Sequence, residues 1–261
     1  MNRRRVLLGA LSVRRLIEFL LGRSFSRNKI VNLIEERSYK ELVGVNPDNR
    51  PPGVQEVKYA YMRALLHGFI RGLDQGYISK HVTKRLLDVF IDNVLLGHEE
   101  RLKEIGGSLG YAPPLFLVIS PTGKCNLKCK GCYAASDPGE HKSLSFDIFD
   151  RLLTEKLELW DSHFNVISGG EPFMWRDGSR GLLDIVEKHS TELFLVYTNG
   201  TLITDSVAKR MAELGNITPA ISVEGFEEET DARRGKGVYR KILTAFENLR
   251  KRGVPFGISA T

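Results

Sequence analysis

The sequence predicts an α/β protein built on a parallel sheet and preceded by a small all-helical domain. Three observations carry that reading. From about residue 112 onward, short apolar runs alternate with helical patterns at a regular interval. Before Pro113-Pro114 the apolar residues follow helical spacing only. Charge divides at the same place: residues 1–110 hold 19 Lys+Arg against 12 Asp+Glu, and residues 111–261 hold 19 against 20, which recovers the net +6. A length of 261 residues allows two domains. We expect them at 1–110 and 111–261.

In the first region, Leu8, Leu11, Leu16, Phe19 and Leu20 mark a helix over residues 4–22. Arg3, Arg4 and Arg5 precede its apolar run, but Arg14 and Arg15 interrupt it and no small-residue cleavage site follows. It reads as a basic amphipathic helix, a solvated surface element with membrane-surface contact as the alternative. No stretch reaches the roughly 18–20 apolar residues that span a bilayer. A second helix is expected over 28–36, then a Pro/Gly-rich loop over 46–53, then a helix over 54–73 that stops near Gly76. Ser79 is placed to cap another, running to about 105 with Val82, Leu86, Phe90 and Val94 on one face and Gly106-Gly107 at its end. The basic excess fits solvated helix faces better than nucleic-acid binding.

In the second region the apolar run 115–120 reads as a buried parallel strand. Helices follow over 146–159, 182–189, 205–214 and 238–252, with strands over 164–168, 193–197, 219–223 and 255–260 between and after them. That alternation calls for right-handed βαβ units.

All three cysteines lie in one short stretch, Cys125, Cys129 and Cys132. They could form a disulfide plus a free thiol, though the odd count fits poorly. They could be part of a zinc site completed by His141 or His163. They could hold three irons of a [4Fe–4S] cube and leave the fourth iron open. The other unusual residues fall at strand ends: Gly169-Gly170-Glu171-Pro172, Thr198-Asn199-Gly200, and Ser222-Val223-Glu224-Gly225. In parallel α/β folds these ends share one rim. The Gly-Gly pair with Glu171 suits an ammonium group, and Asn199 can face the same rim. Ser222 and Glu224 alternate toward a sugar hydroxyl, and Arg233 and Arg234, in a short glycine-bounded loop, suit a carboxylate. A ligand with amine, carboxylate and ribose beside an open iron describes S-adenosylmethionine.

With these motifs in this order, residues 112–261 resemble the radical S-adenosylmethionine superfamily, nearest to its peptide-modifying and molybdenum-cofactor-type branch, where Arg234-Gly235 also matches. Gly131 stands where many members carry an aromatic residue, with Tyr133 just after it. The resemblance implies a partial (β/α)6 TIM-like barrel with a [4Fe–4S] cluster on Cys125, Cys129 and Cys132. It implies that Gly170 and Glu171 orient the cofactor amine, and that Gly169, Pro172 and Asn199 belong to the same cofactor-binding rim. Ser222 and Glu224 would hold the ribose, Arg234 the carboxylate, and Tyr133 would lie near the adenine. The implied activity is reductive cleavage of S-adenosylmethionine to a 5′-deoxyadenosyl radical that abstracts hydrogen from a substrate: a peptide, a lipid or isoprenoid, or a small metabolite. A flavodoxin or ferredoxin would supply the electron, and the cytoplasm is the expected compartment. A non-catalytic cluster protein and a zinc-binding nucleic-acid module are the two other readings. A six-stranded partial barrel needs one more strand and helix after Thr261, so the chain is expected to be a truncated or excised piece.

Overall fold

The computed structural model describes residues 24–47, 49–90 and 98–260. The helix expected over 4–22, with its amphipathic face, lies outside the described residues. The chain divides into two compact units between Tyr77 and Ile78.

The first unit holds α1 (Ser24–Tyr39), a π-helical turn (Lys40–Val45) and α2 (Pro52–Asp74). Asn46, at φ 51°, turns the chain, and its Oδ1 accepts from the Arg50 N–H at 3.0 Å and from Gln55 Nε2 at 2.8 Å. Pro52 begins α2, where a missing N–H leaves no helical bond unmade. Tyr39 meets Tyr59 edge to face with centroids 5.1 Å apart.

The second unit takes in α3 (Lys80–Phe90) and α4 (His98–Leu109) as well as the sheet. Ser79 caps α3, its Oγ accepting from the Val82 N–H at 3.1 Å. The Ser79 N–H in turn donates to Gly253 O at 2.9 Å, late in the same unit. The division at Tyr77 therefore leaves these two helices with the sheet, whereas the change in sequence texture had pointed to residue 110. Gly106-Gly107 does not end the helix. Both lie inside α4, and the chain leaves at Gly110, φ 75°, whose N–H donates to Gly106 O at 2.9 Å. Close packing explains the glycine at 106, since a Cβ there would lie 3.3 Å from Tyr111 O.

Five parallel strands follow, interleaved with helices. In chain order they are β1 (Phe116–Ile119), α5 (Phe146–Trp160), β2 (Phe164–Ile167), α6 (Leu182–Lys188), β5 (Leu193–Thr198), α7 (Asp205–Leu214), β6 (Ile217–Val223), α8 (Glu227–Arg234), α9 (Val238–Arg252) and β7 (Gly257–Ala260). A short antiparallel hairpin, β3 (Arg176–Asp177) and β4 (Arg180–Gly181), lies between β2 and α6. The sheet order is β1-β2-β5-β6-β7, all parallel. The α/β class and the parallel sheet are as expected from the sequence.

Register aligns the two faces. Ile119, Ile167, Val196 and Pro219 are neighbours across four strands on the helix side. Ile119, Ile167 and Val196, with Phe149, Leu153, Phe194, Met211 and Ile242, belong to the core region, where each fully buried apolar side chain contributes about 1.5–3 kcal/mol. Val118, Val166 and Leu195 line up on the opposite face, and Ser168, Tyr197, Ser222 and Ser259 continue that face to the C-terminal edge.

The N-terminal edge of the sheet closes on a buried polar network. Lys156 Nζ donates to Asn165 Oδ1 at 2.7 Å and to Glu192 Oε2 at 2.6 Å. Asn165 Nδ2 also donates to Glu192 Oε2, at 2.9 Å. His189 joins Glu192 at 2.7 Å to Asp150 at 2.9 Å. Burial opposes charge on His189, yet its bonds to Glu192 and Asp150 outweigh burial and hold its pKa above the ordinary value. Burial likewise opposes charge on Glu192 and Asp150, and their partners win, so both stay below the usual carboxylate range. Burial lowers the Lys156 ammonium against the pull of Glu192.

Candidate functional site

Strands in register deliver their loops to one level, and the loops after β1, β2, β5 and β6 meet around a cavity of about 340 Å³. Cys125, Cys129 and Cys132 line it together with Tyr133, Gly169, Gly170, Asn199, Ser222 and Arg234. The sequence-predicted site is thus largely brought together. Glu171, Pro172 and Glu224 are the predicted residues that do not line the cavity.

The cysteine loop is held on several sides by main chain. The Cys125 N–H donates to Asp137 O at 2.9 Å, and the Leu144 N–H to Pro121 O at 2.8 Å. The Gly170 N–H donates to Thr122 O at 2.9 Å and the Glu171 N–H to Lys124 O at 2.8 Å, so the loops after β1 and β2 zip together. Only glycine fits that seam. A Cβ on Gly170 would lie 2.2 Å from Lys124 O, and one on Gly169, at φ 103°, 2.7 Å from Thr122 O.

All three thiols are free. Burial pushes the Cys125 thiol up, against donors from the Leu127 N–H at 3.4 Å and Asn199 Nδ2 at 3.7 Å. Burial also pushes Cys129 up, opposed chiefly by the Arg234 charge. Thiolate is the ligand form, and a bound cation replaces the proton. Asn199 is buried and serves the cysteine loop: its Nδ2 also donates to Asn126 Oδ1 at 2.9 Å, and its Oδ1 accepts from the Thr201 N–H at 2.9 Å. Tyr133 is exposed, and its hydroxyl lies 2.7 Å from Ser168 Oγ.

Two expected carboxylates point elsewhere. Glu171 is fully buried, and its carboxylate accepts from the Phe173 N–H at 3.1 Å, Thr198 Oγ1 at 2.8 Å and the Asn199 N–H at 2.8 Å. It staples the loop after β2 to the loop after β5 and is not presented to an ammonium group. Burial pushes its pKa up against those three donors. Gly169 and Gly170 themselves do line the cavity. Glu224 is held by arginines: Arg234 Nε donates to Oε1 at 3.0 Å, and Arg233 Nη1 reaches Oε2 at 2.8 Å. Burial would raise Glu224, but Arg234 and Arg233 hold it below the usual range. Nor do these arginines sit in a loop. They form the last turn of α8, whose first turn carries Glu227, Glu228 and Glu229, and both charges complement the helix dipole. Arg233 further clasps the cysteine loop, accepting from the Lys130 N–H at 2.9 Å and donating from Nε to Lys130 O at 3.1 Å.

Ser136, Ser168, Tyr197 and Ser259 also line the cavity and were not singled out from the sequence. Strand alternation was the available signal for three of them, since Ser168, Tyr197 and Ser259 share the inner face with Ser222. His141 and His163 already hold carboxylates, His141 pairing with Asp137 at 2.8 Å and His163 with Asp161 at 3.1 Å. Among the described residues no group of three or more His, Cys, Asp or Glu side chains could hold a single metal ion.

An α/β sheet with three free thiols at its carboxyl edge has the layout of a cluster-binding enzyme. The chain belongs to the radical SAM superfamily, whose sequence model matches residues 119–260. It is 31% identical over 146 residues to the Fe-coproporphyrin III synthase of Methanosarcina barkeri, covering 56% of this chain and 36% of that protein. It is 33% identical over 149 residues to the mycofactocin maturase MftC of Mycolicibacterium smegmatis, covering 55% and 36%. The chain therefore spans little more than a third of the length of these curated relatives. The crystal structure of Streptococcus suis SuiB bound to S-adenosylmethionine shares the fold, with a TM-score of 0.52 at 22% identity over 63% of this chain and 38% of that one. The relatives are enzymes by name, and the chain carries the superfamily's catalytic domain. The cofactors that go with that membership are a [4Fe–4S] cluster and S-adenosylmethionine, as expected from the sequence. The residues present fit them: three free thiols on one loop, and a side-chain-free glycine seam that lines the same cavity.

Proposed function

We propose that this chain is the cofactor-cleaving core of a radical SAM enzyme, acting by hydrogen abstraction from a substrate. The convergence of three free thiols with Gly170, Ser222 and Arg234 on one cavity carries the reading. Cys125, Cys129 and Cys132 would hold the cluster. The carbonyls of Gly169 and Gly170 would meet the methionine amine, Arg234 its carboxylate, Ser222 the ribose, and Tyr133 the adenine. When bound, the cluster and S-adenosylmethionine supply one-electron reductive cleavage to a 5′-deoxyadenosyl radical. The protein's part is to hold and orient. Asn199 and the Leu127 N–H steady the Cys125 sulfur, Arg233 fixes the loop at Lys130, and Glu171 locks two rim loops together. Glu224 keeps Arg233 and Arg234 in place and acts on the cofactor through Arg234.

The five parallel strands support a partial (β/α)6 barrel, with the helices before Ile78 a separate part of the protein. The relatives' names divide between porphyrin or heme synthases and maturases, so the shared portion answers for the cofactor and not for the substrate. The maturases favour the peptide option. A one-electron carrier such as a flavodoxin or ferredoxin is the proposed reducing partner. No described helix is long and apolar enough to cross a membrane, and the free thiols favour the cytoplasm.

The test is anaerobic reconstitution with iron and sulfide, then dithionite and S-adenosylmethionine, assayed for 5′-deoxyadenosine. We expect a brown protein that makes it, and Cys125→Ala, Cys129→Ala and Cys132→Ala variants that neither colour fully nor make it. A wild-type chain that stays colourless, or a brown one that leaves the cofactor intact, sinks the proposal.

A further inference from the structure

We propose that the outer face of the cysteine loop is the landing surface for an acidic one-electron carrier; this rests on the reading that the loop holds a reducible cluster. The cysteines of this loop are interleaved with Lys124, Lys128 and Lys130. The cysteines line the cavity, whereas the lysines do not and are all exposed. The loop therefore turns thiols inward and ammonium groups outward. These lysines are the only charged residues between 111 and 130, in a region whose total is 19 basic against 20 acidic. The patch is thus a local excess on a nearly neutral background.

None of the three lysines makes an ion pair among the described residues. Asp137 feels Lys128, but its carboxylate is already taken by His141 Nε2 and the Gly139 N–H, each at 2.8 Å. Lysines that served only to hold the loop would be paired. The loop is held instead by main chain, at Asp137, at Gly170 and at Arg233, so the ammonium groups project from a fixed backbone. Three like charges within seven residues repel one another, and an anionic surface relieves that repulsion. A cationic partner is turned away by the same charges.

The chemistry needs no more than such an encounter. The carrier gives up one electron and the cluster takes it up, and no atom is transferred. Half-buried Cys129 and Cys132 bring their sulfurs close behind this surface. A brief, electrostatically steered contact is the kind of interface that redox partners form, small in area and quick to part.

The experiment follows reduction of the reconstituted full chain by stopped-flow visible absorbance under anaerobic conditions. Two donors are used in parallel: the hydroquinone of an acidic flavodoxin, and photoreduced 5-deazariboflavin, which is small and uncharged. The triple variant Lys124→Glu/Lys128→Glu/Lys130→Glu should slow the flavodoxin about tenfold or more at low salt, within the range that steering supplies. Its deazariboflavin rate should stay within about twofold of wild type, since an uncharged donor is not steered. The neutral triple Lys→Gln should fall between, and guards against misfolding from charge reversal. The wild-type flavodoxin rate should itself fall as salt passes about 0.15 M, where the Debye length is about 8 Å. A flavodoxin rate unmoved by charge reversal, or a wild-type rate indifferent to salt, overturns the proposal. Equal slowing of both donors in both variants overturns it too, because the lysines would then be holding the loop. Failure confined to the flavodoxin leaves the cluster reading standing, whereas a wild-type chain that neither donor reduces removes both.

Discussion

The two edges of the sheet handle polar groups in opposite ways. At the amino edge, Lys156, Asn165, Glu192, His189 and Asp150 bond to one another at 2.6–2.9 Å and are turned inward. At the carboxyl edge, the three cysteines, Ser168, Ser222, Ser259 and the Gly-Gly pair line a cavity. Both edges hold residues that are expensive to bury alone. The amino edge satisfies its groups within the fold, whereas the carboxyl edge pairs Glu171 and Glu224 internally but leaves its thiols for something that arrives from outside. Charge that the protein pairs internally fixes structure, whereas polarity left open is the part available for chemistry.

The largest test of that contrast is at the closed edge. Lys156→Met leaves the buried Glu192 carboxylate with His189 as its one remaining cationic partner, and should destabilise the chain by about 3–5 kcal/mol. Adding Glu192→Leu removes the stranded charge and should return much of the loss. Urea midpoints of the two variants and the parent measure both effects. A single variant as stable as the parent would erase the distinction between the edges.

At the open edge, Gly170→Ala should trouble the site more than the fold. The added methyl meets main chain, so the seam must part, at a cost of about 1–3 kcal/mol for overpacking. Iron bound per chain after reconstitution should drop severalfold, while far-ultraviolet circular dichroism stays that of the parent. Full iron uptake would mean that the two loops move more freely than their backbone bonds imply.

The smallest effect is the pH response of the closed edge. His189 is held above its ordinary value of about 6.5, so its contribution is complete below that value and is lost as pH rises through the folded one. Asp150 and Glu192 are held below the ordinary carboxylate range of about 4, so theirs is complete above that range and is lost as pH falls through their folded values. This network is therefore complete between roughly pH 4.5 and 6.5. In His189→Gln, the fall in urea midpoint above about pH 6.5 should disappear. An unchanged slope would assign that part of the pH dependence to other groups.

Much of this architecture was legible in the sequence, for identifiable reasons. Strands such as 193–198 announce themselves because their run is apolar on both faces, one buried and the other half-buried to exposed, and helices α5, α7 and α9 because one stripe is apolar. The thiols and the Gly-Gly pair were legible because their spacing and chemistry are unusual. Helix α8 was not, since Glu227–Arg234 has almost no apolar residue to set a period and is held by its caps and its charge order. The hairpin at 176–181 was too short to show alternation. The direction of Glu171 was hidden because a carboxylate beside a glycine turn can face either way, and here three donors inside the fold decide it. The division at Tyr77 has no signal of its own in the sequence, because α3 and α4 carry the same helical texture as the region before them.

The seam at Gly170 has a consequence for how this protein can change over generations. A side chain that blocks a neighbour can be excused by a second substitution that shrinks the neighbour. Here the obstacle at 2.2 Å is the carbonyl oxygen of residue 124, which every amino acid possesses. No replacement at position 124 can make room, so drift at 170 has no partner mutation to rescue it. Lys124, by contrast, is free to vary in its side chain without disturbing the seam. Two positions in direct contact thus inherit opposite freedoms, one frozen by the other's backbone and the other open to whatever its outward surface selects.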